Sequence, residues 1–152
     1  MKLISFFVLI SISFYSYGEK IKQDQEMLHY GLIDKDFKYI NIKEVADYFR
    51  YITNSNSMSL PVMFNSEEEL IGMVLTPFNA VYSYKLHRNL SKKEIKTYAQ
   101  LYNNPKRIIS LCTQSFNNEF QWANNVIVKF KYIDLSGQFI TEVRLDKEAC
   151  QN

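Results

Sequence analysis

Apolar and polar residues alternate along this chain with two different periods. From Asn41, the stretch NIKEVADYFRYI puts Ile42, Val45, Ala46, Phe49 and Ile52 at helical spacing on one face. Lys43, Asp47 and Arg50 fall elsewhere. Asn41 is a candidate N-cap with Glu44 three residues on, a capping-box pattern. The pattern predicts a helix from Asn41 to Ile52, ended by the polar turn-formers TNSNSMS.

A period of two follows. Leu60-Pro61 favours entry into an extended segment, because proline disfavours helix in the residue before it. ELIGMVLT reads as a strand, and Pro77-Phe78-Asn79 marks a turn. AVYSYKL then places Ala80, Tyr82, Tyr84 and Leu86 on one face and Val81, Ser83 and Lys85 on the other, so the two strands are expected to form a hairpin.

The helical period returns in SKKEIKTYAQLY, with a capping box from Ser91 to Glu94 and a stripe of Ile95, Tyr98, Ala99 and Tyr102. Asn104-Pro105 restarts the chain as a second short helix with Ile108, Ile109, Leu111 and Cys112 on its apolar face. Residues 115–125 are polar and Asn-rich, with Phe116, Phe120 and Trp122 interspersed, and read as a connector.

In the last unit, Val126, Val128, Phe130 and Tyr132 share a face opposite Lys129 and Lys131. Asp134-Leu135-Ser136-Gly137 is a hairpin turn, with glycine supplying positive φ. Phe139, Thr141, Val143 and Leu145 line one face of the returning strand, with Glu142 and Arg144 opposite. One buried and one wet face is the antiparallel pattern. Residues 19–40 carry weak periodicity and many charges. The expected fold is α+β: about four strands in a mostly antiparallel sheet, packed against two or three helices. No repeat or linker divides it.

The N-terminus changes the setting. Lys2 precedes an apolar run from Leu3 to about Phe14, and Ser16-Tyr17-Gly18 supplies small residues before Glu19, as at a signal-peptidase site. The run falls short of the roughly 20 residues a bilayer span needs, so residues 1–18 read as a cleaved signal peptide rather than an uncleaved anchor. Residues 19–152 then form a single domain, periplasmic or secreted, with no membrane span. No nearby cysteine points to lipid modification. In an exported chain, the two cysteines, Cys112 and Cys150, suggest one disulfide rather than two free thiols. It would close a loop of about 39 residues, worth roughly 4 kcal/mol.

Composition adds exclusions. With 47% apolar and 22% charged residues in 152, the chain is globular. A formal charge of +2 is too small to imply nucleic acid as a partner. His29 and His87 have no metal-ligand neighbours at helical spacing, and no zinc spacing, GxSxG elbow or glycine-rich phosphate loop occurs. No catalytic, cofactor or metal residues are therefore assigned. Glu67-Glu68-Glu69 reads as a solvated turn rather than a carboxylate pair. Lys85, Lys129, Lys131 and Arg144 read as a solvated sheet face with cross-strand charge pairs. Tyr82, Tyr84, Trp122, Lys129 and Lys131 are the candidate partner surface, should they prove exposed together.

In outline, LP, a strand pair ending in Tyr82-x-Tyr84, the helical Cys112, and the Tyr132-x-Asp134-x-x-Gly137 hairpin closing on Cys150 make a pattern over residues 59–150. It resembles a family of small exported bacterial proteins, the quorum-sensing-regulated virulence factors. It departs at Pro77-Phe78-Asn79-Ala80, where the family pattern has a clearer glycine. The resemblance implies an α/β sandwich-like domain, export, one disulfide, an interaction-type role and no enzymatic activity. The expectation is a non-enzymatic exported protein that binds another protein, as a virulence-associated or secretion accessory factor. The alternatives are a periplasmic immunity or inhibitor protein neutralising a toxin, or a small hydrolase using His87 or His29.

Overall fold

Two hairpins and a helical crossover build the sheet. The computed structural model describes residues 23–151; the expected signal segment, residues 1–18, lies outside them. The elements run α1 (residues 23–29), α2 (Ile42–Ser57), β1 (Val62–Met63), β2 (Glu68–Leu75), β3 (Asn79–Leu86), α3 (Lys92–Tyr102), α4 (Pro105–Ser115), α5 (Glu119–Ala123), β4 (Ile127–Ile133), β5 (Phe139–Leu145) and α6 (Lys147–Gln151). The five strands lie in the order β1-β2-β3-β4-β5. All neighbours are antiparallel except β3 and β4, which run parallel. Parallel neighbours need a long crossover, and α3, α4 and α5 supply it.

The sheet therefore has five strands rather than four, and the described residues form six helices rather than two or three. β1 is a two-residue strand beside Glu69 and Leu70, too short to leave a periodic signal. Beyond β1, the outer edge of β2 is met by α2, where Thr53 Oγ1 accepts a hydrogen bond from Leu75 N–H at 2.9 Å. A side chain thus closes an edge that would otherwise offer a free donor. This contact accounts for the length of α2, which continues through the TNSNS expected to end it.

Helix starts follow their local chemistry. The Asn41 side chain accepts from the N–H groups of Lys43 and Glu44. Glu44 does not reach back to the Asn41 main chain; it accepts from the Asn41 amide instead. Ser91 and Glu94 form the reciprocal capping box at α3. Asn104 caps α4 ahead of Pro105. On α4 the buried stripe is narrower than expected, because Ile109 is 62% exposed.

The main core lies between one sheet face and α3 and α4. It holds Ala80, Tyr84, Leu86, Val128, Phe130, Tyr132, Val143 and Leu145 with Tyr102, Cys112 and Phe116. The expected face of β5 is shifted at its start. A bulge at Ile140 lets Tyr132 pair with Thr141 but Ile133 with Phe139. Ile140 is buried and Phe139 is turned out.

A second core forms at one end of the sheet. Met27, Leu32, Ile33, Val45 and Phe49 pack with Phe120 and Val126. The loosely patterned residues 23–40 are thus structural. Asp24 accepts from the N–H groups of Glu119 (2.8 Å) and Phe120 (3.3 Å), capping α5 from a distance. Asn124 binds the main chain at Phe37 and Tyr39. At the other end, Cys112 on α4 is joined by a disulfide to Cys150 on α6, 38 residues away.

Candidate functional site

A groove opens on the helix-bearing face of the sheet. α3 and α4 lie over β5 and reach β4 where Tyr102 and Arg107 meet Tyr132, leaving part of β3 uncovered. The resulting hollow has a volume of about 330 Å³. Its floor is Tyr82, Tyr84, Val128 and Phe130, side chains that strand alternation sends to one face. One wall comes from the end of α4 and the turn into α5: Leu111, Gln114, Ser115, Asn117, Asn118 and Gln121. Phe64 and Gln23 complete it. A smaller hollow of about 70 Å³, lined in part by Phe49, Leu75, Ala80 and Phe120, shares Gln23, Tyr82 and Gln121 with it.

The floor is fixed by ring packing. Tyr82 stacks on Phe130 with centroids 5.6 Å apart, and Tyr84 stacks on Tyr132 at 5.4 Å. Phe64 meets Tyr84 edge-on at 5.6 Å. Burial pushes both the Tyr82 and Tyr84 hydroxyls above the ordinary tyrosine range, so both are neutral at pH 7 and well above it.

The wall is held by carboxamides bonded to one another. The Gln121 side-chain oxygen accepts from Asn118 N–H at 3.0 Å, and its Nε2 donates to the Ser115 carbonyl at 2.8 Å. Asn118 Nδ2 donates to Gln23 Oε1 at 3.1 Å. Asn118 Oδ1 is enclosed without a partner among the described residues. Asn118 is 8% exposed and Gln121 9%, so this part of the wall is preorganised rather than solvent-mobile.

The five residues expected to form a partner surface do not share one. Tyr82 and Tyr84 reach the groove, though Tyr84 is itself buried. Trp122 lies against Phe116 at 4.6 Å, packed on the main core. Lys129 and Lys131 occupy the reverse sheet face, where Glu142 lies 3.9 Å and 3.7 Å from their Nζ atoms. Alternation along β4 forces this separation, since Lys129 and Lys131 flank Phe130.

His87 Nε2 lies 3.3 Å from Glu69 Oε2, which Lys85 also approaches at 3.1 Å. The His87 side chain is 41% exposed and lines neither hollow. His29 is exposed at the end of α1 beside Tyr30. The acidic run is not the solvated turn expected. Asn65 Oδ1 accepts from the N–H groups of Glu67 and Glu68 and starts β2, so Glu68 turns inward and is 8% exposed. Glu69 faces the reverse side with Lys85. Lys85, Lys129, Lys131 and Arg144 each have a carboxylate within 4 Å.

No family model matches the sequence, and no curated protein matches it. Among solved structures, the chain is similar to a candidate secreted protein of Pseudomonas aeruginosa. The TM-score is 0.50 at 14% identity, over 73% of this chain and 96% of that one. It is also similar to type II secretion system pilotins of Vibrio vulnificus and Vibrio cholerae. For these the TM-scores are 0.47 and 0.45, the identities 11% and 10%, and the coverage 73% and 72% of this chain against 96% and 94% of theirs. The likeness to the Pseudomonas protein is one of fold. No helix among the described residues is long and apolar enough to cross a membrane.

The residues that the sequence did not single out are those of the wall. Gln114, Asn117, Asn118 and Gln121 belong to a stretch that reads as a polar connector. Its only signal is a density of carboxamides interleaved with Phe116, Phe120 and Trp122.

Proposed function

We propose that this chain is a non-enzymatic accessory protein of the cell envelope or exterior that binds another protein through the groove over β3. One observation carries the reading: a preorganised hollow of about 330 Å³ with an aromatic floor and a carboxamide wall. Such hollows are of ligand-binding size and composition. Neither histidine lines it, so the groove itself supports recognition rather than hydrolysis. Export by a signal peptide of residues 1–18, leaving a single domain, is part of the same proposal. The narrower assignment to quorum-sensing-regulated virulence factors rests on the residue pattern of 59–150 alone.

A photo-crosslinking residue at Gln114, introduced in the producing cell, tests this reading. The expected result is a discrete protein adduct from the envelope or medium fraction, abolished when Asn117→Arg is added to the same crosslinking chain. An adduct formed only from position 131, on the reverse sheet face, would move the interface away from the groove. Turnover of a substrate on a hydrolase panel, lost with His87→Ala, would replace the binding role.

A further inference from the structure

We infer that the occupant of the groove is an extended, uncharged segment of the partner polypeptide, held through its main-chain N–H and C=O groups. The inference rests on the protein-binding reading above and specifies its ligand.

Charge comes first. Every described residue lining the groove is uncharged. The reverse sheet face, by contrast, carries Lys85, Lys129, Lys131, Glu69, Glu142 and Arg144. A charged side chain entering the groove would shed its hydration and meet no counter-charge.

The hydrogen-bonding capacity of the wall comes second. Each of its amide groups has one N–H engaged: Gln114 Nε2 with Ser110 Oγ at 3.0 Å, Asn117 Nδ2 with the Gln114 carbonyl, and Gln121 Nε2 with the Ser115 carbonyl. The second N–H of each amide has no acceptor among the described residues, and the side-chain oxygens of Gln114 and Asn117 accept no hydrogen bond from them. The wall therefore presents both donors and acceptors. A helical ligand has spent its main-chain N–H and C=O groups on its own i→i−4 ladder. An extended segment has them free, directed alternately to either side.

Dimensions agree. Tyr84, Tyr82 and Ala80 occupy alternate positions along β3, so the two hollows together run roughly 13 Å, the length of about four extended residues. Alternate side chains of such a segment would face the aromatic floor. The hollow of about 70 Å³ at the Ala80 end takes a small apolar side chain.

Selection of a phage-displayed random peptide library on the protein, followed by calorimetry of the selected peptides, tests the inference. The expected winners lack Lys, Arg, Asp and Glu at the core positions and are rich in β-branched residues. They should lose roughly tenfold in affinity on N-methylation of one wall-facing amide, the worth of one hydrogen bond. Gln114→Arg, at an exposed position, should abolish binding while leaving thermal unfolding unchanged. Winners that are lost with Gln114→Arg but are helical, charged or indifferent to N-methylation would overturn this inference and leave the protein-binding reading standing. Winners indifferent to Gln114→Arg, or groove binding by a neutral oligosaccharide from a glycan array with no peptide selected, would overturn both.

Discussion

The hydroxyl of Tyr102, at the end of α3, donates a 2.5 Å hydrogen bond to Oε1 of Glu68, the first residue of β2. Asn65 Nδ2 holds the other carboxylate oxygen at 3.0 Å. The Tyr102 ring stacks on Tyr132 at 3.9 Å, and the Arg107 guanidinium lies 4.4 Å from the centre of the Tyr102 ring and 5.9 Å from that of Tyr132. Burial, then the Glu68 hydrogen bond, pushes the Tyr102 hydroxyl far above the ordinary tyrosine range, so it stays a donor. The crossover helices are thus fastened to the start of β2 through one carboxylate.

Tyr102→Phe keeps both ring contacts and removes only that donor. A hydrogen bond to a charged acceptor is worth about 2 kcal/mol, and urea denaturation should read a loss of that size. A double-mutant cycle with Glu68→Gln should show coupling of about 1 kcal/mol or more. Additive single effects would mean the pair does not act as a unit.

Reduction of the bridge between Cys112 and Cys150 should destabilise the domain by about 4 kcal/mol, from the loop it closes. That is a large part of the roughly 5–15 kcal/mol typical of a domain. The check is the urea midpoint of oxidised protein against the Cys112→Ser/Cys150→Ser variant. Equal midpoints would remove the bridge from the stability of the fold. Thiol reagents should find no reactive cysteine before reduction.

Asp134 organises the closing turn and should make stability fall in acid. Its Oδ1 accepts from Ser136 Oγ (2.6 Å) and Gln138 N–H (2.8 Å), and its Oδ2 from Leu90 N–H (3.1 Å). The Ser136 bond first, then the main-chain N–H bonds, hold its carboxyl below the ordinary 3.8. The unfolded chain therefore binds the proton more tightly. The stabilisation is complete above the unfolded value and is lost as pH falls through 3.8 toward the folded value. Urea midpoints should decline below about pH 5, and Asp134→Asn should flatten that decline. Glu69, Glu94 and Asp146, also held low by their hydrogen bonds, leave a residual slope.

Thr53→Val deletes the acceptor of Leu75 N–H without changing side-chain shape. The expected cost is about 1 kcal/mol. The sharper readout is local: amide exchange at Leu75 should quicken while amides of the β3–β4 ladder stay protected. Unchanged exchange at Leu75 would show that α2 does not close this edge.

What the sequence determined by itself is the local grammar. Asn41, Ser91 and Asn104 announce three helix starts because a cap is a contact between a side chain and main chain two or three residues on. The two hairpins are legible because alternation in AVYSYKL and VKFKYI needs only a period of two, and Gly137 at φ 88° closes the second turn. Tertiary structure alone decided how these parts meet. The parallel contact of β3 with β4 spans some forty residues of crossover and leaves no mark in either strand. The same holds for Glu68, which reads as surface until Tyr102 and Arg107 arrive beside it. Placement of Tyr82 and Lys129 on opposite faces follows from pleat and register together. The groove is the clearest case: its wall is a run of amides without periodicity. They become one wall of a groove only where packing of α4 against β5, and the cap from Asp24, set that run over the aromatic face of β3.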